Sequence, residues 1–141
     1  MTVTDLYALN SALEKDENEI RIQDPALTEI KVLLSSDVNM LKNMLKGGGL
    51  GFALAMGGVL DMFTGAFLLP LALMAAGVFK MGKAITYDTV KGIKTDNQLK
   101  EAQNQISNKY KEIDIKRMFE LIKTYYSETS SGNSYSVLKH K

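Results

Sequence analysis

The feature that most constrains the fold is an apolar block from Gly47 to Phe79, GGGLGFALAMGGVLDMFTGAFLLPLALMAAGVF, in which Asp61 is the only charged residue. Domains that fold in water usually distribute their apolar residues periodically instead of concentrating them in one run. A helix that spans a bilayer needs roughly 20 apolar residues, so the block is long enough to enter a membrane. The flanking lysines, which are typical of membrane-inserted segments, are Lys42, Lys46, Lys80 and Lys83.

Three arrangements of the block are consistent with its sequence. Met62–Phe79 is close to the length of a single tilted span across a hydrocarbon core of about 30 Å. Alternatively, Gly47–Leu60 and Met62–Phe79 form the two arms of a helical hairpin, which places the lysines of both flanks on one side of the membrane. In the third arrangement the block enters no membrane and forms the centre of a soluble oligomer.

Small residues recur at every fourth position of the block, a spacing that lets helix backbones approach closely in lipid. The predicted helix-contact residues are Gly47, Gly51, Ala55, Gly57 and Gly65. Asp61 lies on the same row as Gly57 and Gly65. A charge within a membrane costs roughly 2.5–3.5 kcal/mol on insertion scales. Asp61 is therefore interpreted either as a pore-facing or subunit-pairing intramembrane charge, or as a hydrated residue at a hairpin tip.

The residues before the block predict helices and one short extended piece. A leucine stripe predicts an amphipathic helix over residues 4–15. Ile20 and Ile22 alternate with polar residues, which suits an extended segment. Asp24-Pro25 is a helix start, with aspartate as the N-cap and proline at the first helical position. The apolar stripe that follows predicts one continuous helix to about residue 46.

The residues after the block predict a long helix followed by a polar tail. Thr95 and Gln98 match a capping box, which predicts a packing helix over residues 96–126. The predicted packing residues on this helix are Leu99, Ile106, Ile113, Met118 and Ile122. The tail is rich in Ser, Gly and Asn and predicts no structure of its own. The chain therefore divides into segments 1–46, 47–79, 80–126 and 127–141.

Composition argues against several kinds of chemistry. The chain has no cysteine and a single histidine, His140, so it offers neither a thiolate site nor a multi-histidine metal site. Residues 77–84 approach the phosphate-binding loop pattern, but Ala84 lacks the hydroxyl that ligates magnesium. We therefore expect no catalytic residue, no cofactor and no metal. The N-terminus lacks the basic start and apolar run of a cleavable signal peptide.

Charge is distributed unevenly along the chain. Residues 1–46 carry 5 basic and 8 acidic side chains, whereas residues 80–141 carry 12 basic and 7 acidic ones. This mild asymmetry favours an anionic lipid surface or an acidic partner. It is too weak to predict nucleic-acid binding, which usually requires a strongly basic face.

These observations predict an all-α protein that is not an enzyme, with N-terminal amphipathic helices, a glycine-rich apolar membrane-type helix or helical hairpin, and a long C-terminal packing helix. The predicted function is that of a structural subunit in a larger assembly that inserts into or contacts a membrane, such as a pore, a secretion apparatus or a virion. The expected partners are the lipid bilayer and copies of the chain or other subunits, with no nucleic acid and no small-molecule substrate.

Two alternative functions follow from the same sequence. The chain is an accessory single-span subunit of a membrane protein complex, or it is a soluble self-assembling shell or filament protein whose apolar block is a buried interface. The assembly subunit and the accessory single-span subunit both place the protein in a membrane or in an assembly that contacts one.

Overall fold

The computed structural model describes residues 1–47, 50, 85–132 and 134–141, which form a mixed sheet with helices packed on one face. The strands are β1 (Thr2–Val3), β2 (Glu19–Gln23), β3 (Tyr126–Ser131) and β4 (Tyr135–His140). The helices in these ranges are α1 (Leu6–Glu14), α2 (Ala26–Leu34), α3 (Val38–Lys46), α4 (Tyr87–Val90), α5 (Asp96–Lys109) and α6 (Ile115–Tyr125).

The fold is α/β, so the prediction of an all-α protein is wrong. Four strands form one sheet in the order β1-β2-β4-β3. β1 pairs with β2 in parallel, whereas β4 pairs antiparallel with both β2 and β3. The segment that the sequence presented as a polar tail forms most of the β3–β4 hairpin. β3 reads YSETSS and has no apolar alternation, so its pairing with β4 defines it as a strand.

The predicted membrane-type helix is also corrected. Within the ranges that the structure describes, no helix is both long enough and apolar enough to cross a bilayer. Apart from Gly47 and Leu50, the apolar block lies outside the described residues, as do both arms of the predicted hairpin. The described chain is a mixed α/β unit and not a bundle built around a transmembrane helix.

The sheet buries one face under the helices. Ile20 and Ile22 of β2 are fully buried, and their partners across β4 are Leu138 and Ser136, which are buried as well. The short extended piece predicted from these isoleucines is therefore confirmed as β2. Antiparallel strands commonly bury one face and expose the other. Arg21 lies on the opposite face, where its guanidinium stacks 4.1 Å from the ring centroid of Tyr135.

Helix α2 is the centre of the helical layer. All of its residues are buried, because it contacts β2 on one side and α3, α4 and α5 on its other sides. A helix enclosed in this way is usually apolar all round. The α2 sequence ALTEIKVLL nevertheless carries Thr28, Glu29 and Lys31, and each of these polar side chains must be satisfied inside the protein.

The single helix predicted to reach residue 46 is interrupted between α2 and α3. The Ser35 hydroxyl donates to the carbonyl of Lys31 (2.7 Å), and the Asp37 carboxylate accepts the Met40 N–H (2.8 Å). Serine and aspartate offer the backbone these alternatives to continued helix. The Gln103 amide of α5 donates to the carbonyls of Val32 (2.9 Å) and Ser35 (2.8 Å). This contact satisfies carbonyls that the helix end leaves without an intrahelical partner.

The predicted long C-terminal helix is likewise two helices. The Thr95–Gln98 capping box is confirmed at the start of α5, but α5 ends at Lys109 and α6 begins at Ile115, where Asp114 caps it by accepting the Arg117 N–H (3.1 Å). All five predicted packing residues are buried in the core of the chain: Leu99, Ile106, Ile113, Met118 and Ile122.

A buried carboxylate ties α2 to the end of α5. Glu29 is 0% exposed, and its Oε1 accepts the Tyr110 hydroxyl (2.9 Å) while its Oε2 lies 3.4 Å from the Lys109 ammonium. Burial raises the pKa of Glu29, although Lys109 and the Tyr110 hydroxyl act in the opposite direction. Tyr7 of α1 packs edge-on against Tyr110, with ring centroids 5.0 Å apart, so three helices meet at this carboxylate.

We expect Tyr110→Phe to lower the free energy of unfolding by about 1–3 kcal/mol, since it leaves a buried carboxylate oxygen without its donor. Chemical denaturation measures this loss. Tyr7→Phe is the matched control, because the Tyr7 side chain is 44% exposed and donates to the Lys109 carbonyl at the surface (2.9 Å). That change should cost at most about 0.5 kcal/mol. Equal losses for the two variants would contradict the role assigned to Glu29.

Candidate functional site

Described residues from both sides of the apolar block line one cavity of the domain, which we call the root site. A cavity of about 380 Å³ is lined by Asp24, Leu45, Lys46, Tyr87 and Ser134. Leu45 and Lys46 are the last residues of α3 before the block, and Tyr87 begins the first helix described after it. The chain therefore leaves and rejoins the domain at one cavity.

Local sequence accounts for both edges of the cavity. Helix α3 has a strongly amphipathic sequence: Val38, Leu41 and Met44 are buried, and Lys46 is exposed. Gly47 is the C-cap of α3, and its N–H donates to the Asn43 carbonyl (3.0 Å). On the other edge, Thr86 caps α4, Val90 is buried and Tyr87 is 43% exposed.

A carboxylate on the sheet holds the chain as it leaves α3. Leu50 is 1% exposed, and its N–H donates to Oε2 of Glu128 on β3 (2.6 Å). The Ser136 hydroxyl of β4 donates to the same oxygen. Charge-assisted bonds of this kind are roughly twice as strong as neutral ones. Glu128 therefore fixes Leu50 against the β3–β4 hairpin.

A buried lysine lies near this carboxylate. Lys31 of α2 is 3% exposed. Burial lowers the pKa of Lys31, and the negative charges of Asp24 and Glu128 act in the opposite direction. Asp24 is itself held in place, since its Oδ1 accepts the Thr28 N–H (3.1 Å) and the Thr28 hydroxyl (2.7 Å).

The chemistry of the root site suits anchoring of the main chain. Asp24 and Lys46 line the cavity, and Lys31 lies near the negative charges of Asp24 and Glu128, so the site and its surroundings have no large excess of either sign. Both carboxylates accept bonds from backbone N–H groups. In the part of the chain that the structure describes, no group of three or more His, Cys, Asp or Glu side chains could hold a metal ion.

The structure places only some of the residues singled out from sequence. Lys42 and Lys46 are exposed on α3, and Gly47 ends that helix. The packing residues of α5 and α6 are not part of the root site. The remaining predicted helix-contact, intramembrane and flanking residues lie outside the described residues: Gly51, Ala55, Gly57, Asp61, Gly65, Lys80 and Lys83.

Sequence reasoning missed the polar residues that build the root site. Lys31 could have been identified from the sequence, because it lies within the apolar run of α2, in which a charged residue needs a partner. Tyr87 and Glu128 carried none, since both stand in polar surroundings that resemble ordinary surface. Only the pairing of β3 with β4 brings Glu128 next to Ser136 and Leu50.

We expect Glu128→Gln to weaken the attachment of Leu50. Removing the charge should lower the free energy of unfolding by about 1–2 kcal/mol and accelerate hydrogen exchange at the Leu50 amide, which NMR of the full chain measures. Glu120→Gln on the exposed side of α6 is the matched control and should change neither quantity. Unchanged exchange at Leu50 in Glu128→Gln would contradict the anchoring role.

The only histidine belongs to a separate cluster at the end of β4. His140 Nε2 lies 2.9 Å from Asp16 Oδ1, and Nδ1 lies 3.0 Å from the Lys141 carbonyl. The Tyr126 ring packs edge-on against the imidazole at 5.0 Å. The hydrogen bonds to the Lys141 carbonyl and to Asp16 raise the pKa of His140. This cluster fastens the C-terminal strand to the turn after α1.

The raised pKa of His140 predicts a pH dependence of stability. The stabilisation from protonated His140 is fully present below the ordinary histidine pKa of 6.5. It is lost as the pH rises through the higher pKa of His140 in the folded protein. Asp16→Asn should lower the pKa of His140 and reduce this dependence. Asp16 has a φ of 58°, a conformation that asparagine also tolerates, so the variant changes charge and not backbone. An NMR titration of His140 and thermal melting across this pH range measure both effects, and an unchanged titration would contradict the pairing.

Comparison with protein-family models, with curated proteins and with solved structures finds no significant match to this chain. The function is therefore argued from the residues and from the geometry of the root site.

Proposed function

We propose that this chain is a non-enzymatic structural subunit of a larger assembly that contacts a membrane through the apolar block Gly47–Phe79. In this proposal the α/β domain is the platform from which the block emerges. The domain contributes position and attachment, and the block contributes affinity for the membrane.

The observation that carries the proposal is that described residues from both sides of the block line one cavity. Leu45, Lys46 and Tyr87 line one cavity, and Glu128 holds Leu50 against the β3–β4 hairpin. The block is therefore an insertion between α3 and α4 and not a connection between two separate units. In the proposal, such an insertion contacts a surface without separating the two helices that flank it.

The described domain also has its own core. The buried residues extend from Val3 to Leu138 and include all of α2. Each Å² of apolar surface removed from water in this core stabilises the fold by roughly 25 cal/mol. Leu50 of the block belongs to this core, and in the proposal the remainder of the block provides the membrane contact.

The proposal predicts that the full chain binds uncharged lipid vesicles through the block. In flotation with phosphatidylcholine vesicles, the protein should rise with the lipid, and Leu68→Asp should reduce binding at least tenfold, since a charge at the centre of an apolar segment costs roughly 2.5–3.5 kcal/mol. Asn97→Asp adds the same charge at an exposed position of α5 and should bind as the unchanged protein does.

The outcomes separate the proposal from its alternative. Protein that stays monodisperse without detergent, no larger than a dimer, and that ignores vesicles would contradict membrane contact. A large detergent-free particle that does not float would also overturn it, in favour of a self-assembling shell or filament protein with the block as its buried interface.

A further inference from the structure

The exposed lysines around the root site lie on two chain segments that run side by side. At one end, Lys46 of α3 and Tyr87 of α4 line the same cavity. At the other end, the N–H of Val38, the first residue of α3, donates to Oδ1 of Asp96 (3.0 Å). Residues 87–96 therefore run from the C-terminal end of α3 to its N-terminal end, antiparallel to the helix. The helix is roughly 12 Å long at about 1.5 Å per residue.

This arrangement places four lysines on one side of the domain. Lys42 and Lys46 are exposed on α3, and Lys91 and Lys94 are exposed on the neighbouring segment. Val90 and Ile93, which precede Lys91 and Lys94 in the sequence, are buried. The segment therefore exposes its lysines to solvent. The exposed Tyr87 stands at the end of the lysine surface where the block joins the domain.

The acidic residues of the same surface are already engaged. Asp24, Asp37 and Asp96 accept the N–H groups of Thr28, Met40 and Val38 respectively. All three lie at or next to the start of a helix, where the positive end of the helix dipole partly offsets a negative charge.

Asp88 is the fourth acidic residue, and it pairs with Lys91 (3.2 Å). The two side chains are 84% and 62% exposed respectively, and a pair so exposed contributes little. Among the described residues, no carboxylate lies within ion-pair distance of Lys42, Lys46 or Lys94.

We propose that Lys42, Lys46, Lys91 and Lys94 form a docking surface for the phosphate headgroups of an anionic bilayer, with Tyr87 at the boundary between headgroups and acyl chains. The inference rests on the proposed function, since the apolar block brings this side of the domain to the membrane. Lysines next to a membrane-contacting segment are attracted by anionic lipid, and tyrosine is enriched at the membrane–water interface.

Vesicles of two compositions test this docking surface. The full chain should bind phosphatidylcholine vesicles that contain phosphatidylglycerol more tightly than phosphatidylcholine alone, and high salt should abolish the difference because it screens exposed charges. Lys42→Gln with Lys46→Gln, or Lys91→Gln with Lys94→Gln, should weaken binding to the anionic vesicles by about fivefold per lysine. Lys91→Gln with Lys94→Gln, which does not alter the root site, should leave binding to neutral vesicles unchanged.

Two further variants make the test specific. Lys123→Gln with Lys139→Gln removes the same charge from α6 and from the outer face of the sheet, where both lysines are exposed, and should leave the anionic preference intact. Asp88→Asn releases Lys91 and should strengthen binding to the anionic vesicles. These opposite directions could not arise from a general loss of folding.

The possible failures are distinguishable. Equal binding to the two vesicle types would overturn the docking surface and leave the proposed function standing. An equal loss in the control pair would also overturn it, since net charge alone would then explain the preference. Failure to bind either vesicle would overturn the proposed function itself.

Discussion

The enclosed helix α2 is the constraint on which the rest of this structure depends. Because every residue of α2 is buried, its polar side chains determine what must pack around it. Glu29 requires donors, and it obtains them from Tyr110 and Lys109 at the end of α5. The C-terminal end of α2 requires donors as well, and Gln103 of α5 supplies them. The position of α5 along α2 follows from these two contacts.

The root site is built on the same helix. Lys31 and Glu29 both belong to α2, yet Glu29 faces α5 whereas Lys31 interacts with the charges of Asp24 and Glu128. The buried helix thus connects the core of the domain with the place where the apolar block leaves and rejoins it. Glu128 completes the connection, because it links Leu50 to the β3–β4 hairpin.

Several local features were predictable because their causes are local in sequence. The alternation of Ile20 and Ile22 predicted β2, and the Thr95–Gln98 capping box predicted the start of α5. The two long helices were predicted wrongly, because an apolar stripe continues across a break when both helices pack on the same core. Ser35 and Asp37 at one break, and Asp114 at the other, were the signals that should have limited them.

The sequence by itself determined the helical stripes, the helix caps and the apolar block with its lysine flanks, since each depends on residues a few positions apart. Only the tertiary structure decided that the polar segment after Tyr125 is a hairpin. β3 and β4 pair with each other, and β4 also pairs with β2, whereas the sequence YSETSS has no periodicity that predicts this pairing. The root site was decided at the same level, because its residues come from α3, α4, the segment between β2 and α2, and the turn between β3 and β4. A sequence pattern reports what one element needs, whereas a site assembled from several segments exists only once they have packed.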